Sequence, residues 1–128
     1  MMKKIIQTKN APSPIGPYNQ AVLAGGMLYL SGQIALEPSS GNLVLDSIEA
    51  ETHQVMKNIE AILSEAGLNF NHVVKTSIFL LDMNNFAKVN EVYGAYFTSD
   101  FPARETVQVS CLPKNVNVEI SMIAIASN

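Results

Sequence analysis

Arg104 and Glu119 are the two side chains of this sequence best suited to work on a small charged molecule, and both lie in FPARETVQVSCLPKNVNVEI, residues 101–120. A guanidinium stays charged at any useful pH and grips a carboxylate through two parallel hydrogen bonds. Glu119 interrupts an otherwise apolar string, Val116–Asn117–Val118–Glu119–Ile120. A charge within an apolar strand is costly unless it is paired, solvated or lining a cleft. Two readings stand side by side: an Arg104–Glu119 cross-strand pair on an exposed sheet face, or a ligand site.

The two residues fall in two runs of strand character, Arg104–Cys111 and Asn117 onward, split by the turn Leu112–Pro113–Lys114–Asn115. Strand alternation sends Arg104, Thr106, Gln108 and Ser110 to one side and Glu105, Val107, Val109 and Cys111 to the other. Upstream, residues 3–8 suit a first edge strand, and the Pro- and Gly-rich stretch 11–17 a loop. Ala21–Ala24 and Met27–Leu30 flank Gly25–Gly26, the pattern of a hairpin whose turn needs positive φ. A first helix starts at Asp46 or Ser47, with Asp46 and Glu49 at capping-box spacing, and ends at Gly67. Its apolar stripe is Thr52, Val55, Ile59, Ile62, Leu63 and Ala66. Val73–Leu81 reads as a central strand. A second helix, capped by Asn84 or Asn85, turns Phe86, Val89, Tyr93, Tyr96 and Phe97 inward, with Asn90 on the same side.

The resulting order is β-β-β-α-β-α-β-β, an α+β domain over residues 1–128. Two helices cover one face of such a sheet. Yet Val73–Leu81 is apolar on both: Val74, Ile78 and Leu80 on one side, Phe79 and Leu81 on the other. The second face therefore calls for a cover, and self-association is the simplest one.

With 128 residues, 48% hydrophobic and 15% charged, the chain suits one globular domain with a true core. A net charge of −3 argues against a surface built for nucleic acid. No apolar run approaches a membrane span, and Gln7–Asn10 interrupts what would be the core of a signal peptide, so a soluble cytoplasmic protein is expected. The single cysteine, Cys111, excludes an internal disulfide and reads as a small buried hydrophobe rather than a nucleophile. His53 and His72 lack ligands at metal spacing, so no metal site is expected.

Four ordered motifs resemble the RidA (YjgF, L-PSP) family: 15–21 (IGPYNQA), 30–34 (LSGQI), 86–90 (FAKVN), and the C-terminal set Pro102–Arg104, Val107, Ser110, Leu112–Lys114 and Val118–Ile120. The resemblance spans nearly the whole chain. It implies a chorismate mutase-like fold, a six-stranded, mostly antiparallel sheet with two helices on one face, assembled as a homotrimer with sites between subunits. It further implies a deaminase that hydrolyses 2-iminopropanoate and 2-iminobutanoate without a cofactor, Arg104 holding the carboxylate and Glu119 positioning water. Tyr18, Ser31, Gly32, Asn90 and Thr106 match positions lining the pocket, Asn90 as a brace. Glu105 and Thr106 depart from the family, which usually has a small residue and often a cysteine there. Two other activities remain open on sequence: cleavage of single-stranded RNA, and a non-catalytic trimer that senses a metabolite.

Overall fold

The computed structural model describes residues 2–126. The strands are β1 (Lys4–Ile6), β2 (Ala21–Ala24), β3 (Met27–Leu30), β4 (Val73–Leu80), β5 (Ala103–Gln108) and β6 (Val118–Ile125). Helix α1 (Ile48–Glu65) lies between β3 and β4, and α2 (Phe86–Gly94) between β4 and β5. The expected element order holds. One sheet runs β1-β2-β3-β6-β4-β5, antiparallel except for β4 and β5, which α2 joins in parallel. Gly25 and Gly26 turn the β2–β3 hairpin at φ 59° and 77°, where a side chain would be strained.

Local signals set the element ends. Ser47 caps α1 by accepting a hydrogen bond from the Ala50 amide at 3.0 Å, so the Asp46–Glu49 capping box does not form. Gly67, at φ 76°, follows the end of α1 in the left-handed region. Neither Asn84 nor Asn85 caps α2 through its side chain. The chain enters that helix through a 3-10 turn, Met83–Asn85, capped one step earlier by the Asp82 carboxylate on the Asn84 amide. β5 stops at Gln108, short of the expected Cys111, and a further 3-10 turn, Pro113–Asn115, carries Lys114 and Asn115 at positive φ.

Both helices pack on one face. Val55, Ile59 and Leu63 of α1 meet Ile78, Leu80 and Ile120 of the sheet, all fully buried. Burial of each such side chain stabilises by about 1.5–3 kcal/mol. Val74 does not join Ile78 and Leu80. An irregularity between Val73 and Lys75 turns it outward, 41% exposed, and buries Val73 instead. On the opposite face the chain supplies part of a cover: Ile34, Leu36, Leu112 and Val116 form a small cluster against Phe79. Beyond it Ile5, Tyr29, Val107 and Ile125 remain exposed on that face.

Candidate functional site

Glu119 forms one wall of a cleft of about 350 Å³ also lined by Tyr18, Ser31, Gly32, Ile34 and Pro113. The cleft exists because Gln33 pairs with Ile120, each donating its amide to the other's carbonyl, which brings the segment after β3 beside Glu119. Gly32 then lies so close that a Cβ there would overlap the Glu119 carboxylate, approaching its carboxyl carbon to 2.9 Å. The Ser31 hydroxyl donates to the Asn19 carbonyl at 2.5 Å, and the Tyr18 hydroxyl accepts from the Ile15 amide at 3.3 Å. Glu119 has no hydrogen bond or ion pair among the described residues, and burial pushes its carboxyl above the ordinary carboxylate range. A partnerless carboxylate in a cleft can align a water and take its proton.

Arg104 lies elsewhere. In the parallel register Arg104 stands opposite Thr76, a buried residue of the helix face, whereas Glu119 stands opposite Phe79 on the other face. β4 also separates their strands. The cross-strand ion pair is thus overturned. Strand alternation was correct for β5 by itself; it carried no information about the face of β6. The Arg104 guanidinium rests on the rings of Tyr93 and Phe86, 5.1 and 5.6 Å from their centroids, and has no ion pair among the described residues. Asn90 lies between those two rings on the same side of α2 by helical spacing, half-buried. The Thr106 hydroxyl is buried on the same face as Arg104 and has no hydrogen-bond partner among the described residues. The candidate residues therefore form two separate groups: Tyr18, Ser31, Gly32 and Glu119 at the cleft, and Asn90, Arg104 and Thr106 on the side of α2.

Residues 8–126 match the family model described as Endoribonuclease L-PSP. The chain belongs to that family. It is 52% identical to a RutC family protein of Pyrococcus horikoshii over 96% of this chain and 98% of that one. It is 48% identical to human 2-iminobutanoate/2-iminopropanoate deaminase over 98% and 91% of the two chains. Among solved structures, a Yersinia pestis protein of the conserved Rid family superposes with TM-score 0.95 at 52% identity, covering 97% of this chain and 99% of that one. Escherichia coli TdcF with bound serine superposes with TM-score 0.93 at 40% identity, covering 97% and 99%.

Three buried polar side chains that sequence reading passed over brace this family fold around the cleft. Gln20 donates to the carbonyls of Thr8, Ala11 and Pro12 and accepts from the Thr8 amide, which pins the loop leading to Tyr18. Asn58 of α1 donates to the carbonyls of Ile34 and Leu36 at 3.1 and 2.9 Å. Glu51, fully buried, accepts from the amides of Asn117 and Val118 and from the Asn117 side chain, and so holds the strand entry two residues before Glu119. The only signal available was polarity among core-facing neighbours, since the partners lie up to 67 residues away.

Glu105, one of the two departures from the family pattern, and the single cysteine have clear surroundings. Glu105 faces away from Arg104 and pairs with Lys75 at 2.7 Å while accepting from the Ser77 hydroxyl. Lys75 first, then Ser77, hold its carboxyl below the ordinary range. Cys111 is exposed, not buried, because β5 has already ended and left it in the following loop. His53 Nδ1 lies 3.0 Å from the Tyr96 hydroxyl, and His72 accepts from the Asn69 amide at 3.1 Å; among the described residues no His, Cys, Asp and Glu group has metal-ligating form. No helix among them is long and apolar enough to cross a membrane.

Proposed function

We propose that the protein hydrolyses small 2-imino acids, such as 2-iminopropanoate and 2-iminobutanoate, to 2-oxo acids and ammonia. Its sites form where the Glu119 cleft of one subunit meets the Arg104 half-site of a neighbour in a homotrimer. The observation that carries this reading is the division of the candidate residues between opposite sheet faces. A guanidinium without a carboxylate and a desolvated carboxylate without a cation each want a partner that one chain does not supply. The uncovered apolar residues Ile5, Tyr29, Val107 and Ile125 supply a reason for subunits to associate. Similarity to mammalian deaminases and to TdcF, which holds serine, supports a small amino-acid-like carboxylate as ligand.

In this mechanism Arg104 holds the substrate carboxylate bidentately and fixes C2 beside Glu119. Tyr18 walls the cleft, Ser31 and the Gly32 backbone offer polar contacts, and the unpartnered Thr106 hydroxyl completes the Arg104 side. Glu119 takes a proton from water as the oxygen bonds to C2 and passes it to the imine nitrogen, giving a carbinolamine. It then takes the carbinolamine hydroxyl proton and delivers it to the nitrogen as the C–N bond breaks, leaving the 2-oxo acid and ammonia. A raised pKa suits both transfers. The reaction is redox-neutral and consumes only water.

The test is ammonia release from freshly generated 2-iminobutanoate, with and without protein, beside sedimentation at micromolar concentration. Acceleration by a trimer supports the proposal. A trimer that binds 2-oxobutanoate without accelerating release would make it a sensor, and a monomer would remove the shared site.

A further inference from the structure

Tyr93 has two contacts that the proposed reaction does not use. Its hydroxyl donates to Thr76 Oγ1 at 2.9 Å, and its ring lies under the Arg104 guanidinium. Thr76 is fully buried and is the residue directly opposite Arg104 in the β4–β5 register. The three residues thus form a closed arrangement: strand pairing fixes Thr76 against Arg104, Thr76 fixes the Tyr93 hydroxyl, and the ring supports the guanidinium. Phe86, two helical turns before Tyr93, adds a second ring face. An unsupported arginine samples many rotamers and loses that freedom when it grips a ligand. Stacking on two rings removes part of that freedom before any ligand arrives.

We infer that Tyr93, locked by Thr76, is a positioning residue that presents the Arg104 fork to the substrate carboxylate. This rests on the carboxylate-holding role proposed for Arg104. The hydrogen bond also contributes to folding, so the test must separate the two roles. Thr76→Val and Tyr93→Phe each orphan one buried polar group, whereas the double variant removes both and leaves none unpaired. Stability should fall in each single variant and recover in the double.

Positioning predicts a different pattern for catalysis. KM for 2-iminobutanoate should rise about 3–10-fold in both single variants and stay raised in the double. kcat should hold within about twofold, because a carboxylate gripped in ground and transition state alike contributes uniform binding. As a readout independent of activity, the Arg104 Nε–H resonance should show a ring-current shift in the wild type that diminishes in Tyr93→Leu. A double variant whose KM returns to normal along with its stability overturns the inference, as does an unshifted Arg104 resonance in the wild type. If the wild type itself releases no ammonia, the functional reading fails, and the resonance alone decides whether Tyr93 orients Arg104.

Discussion

Mixing two inactive variants should restore activity, because Arg104 and Glu119 face opposite sides of the sheet and each site would draw them from different subunits. Arg104→Ala removes the carboxylate grip, and loss of one partner of a desolvated charge pair costs about 2–5 kcal/mol, roughly thirtyfold to several thousandfold. Glu119→Gln removes the proton acceptor, worth about 10²–10⁴-fold. With substrate below KM, each pure variant should then keep no more than about 3% of the wild-type rate. In trimers assembled from an equal mixture, a site works when an intact Arg104 meets an intact Glu119. Every cyclic trimer that holds both chains has one such contact among its three, so about a third of the sites should be active. The assay is ammonia release by trimers reassembled from both chains and purified through two different tags. Mixed trimers no more active than their parents would refute the shared site, and with it the account of why the two half-sites stand apart.

Gly32→Ala should lower turnover about a hundredfold while moving the melting temperature little, since the new Cβ displaces the tip of Glu119 rather than any core atom; near-normal ammonia release would contradict it. Glu119→Gln should become more stable relative to wild type as pH rises. Burial raises the folded pKa of Glu119, so its favourable contribution is complete below the unfolded pKa and is lost as pH rises through the folded one. Melts of both proteins between about pH 4 and pH 8 check this, and a constant difference would count against it. Cys111→Ser should keep most imine hydrolysis, because the thiol lies in the loop beyond β5; a loss of about a hundredfold, roughly 2.7 kcal/mol of barrier, with the trimer intact would overturn that.

Features carried by neighbouring residues were legible in the sequence. The Gly25–Gly26 hairpin, the buried stripe of α1 and the end of that helix at Gly67 follow from backbone freedom and a 3.6-residue period. The alternation that separates Arg104 from Glu105 follows from the two-residue period of a strand. The motifs that resemble the L-PSP family are local in the same sense, which is why membership is readable in the sequence itself. What pairing between distant strands decides was not legible. β4 inserts between β6 and β5, and the register of each pairing sets which alternating set faces the helices. Arg104 and Glu119 therefore look like partners along the chain and stand on opposite faces in the fold. The irregularity beside Val74 and the buried braces Gln20, Asn58 and Glu51 were hidden for the same reason. A polar side chain reveals itself as structural only when the carbonyls and amides it satisfies, dozens of residues away, have been folded against it.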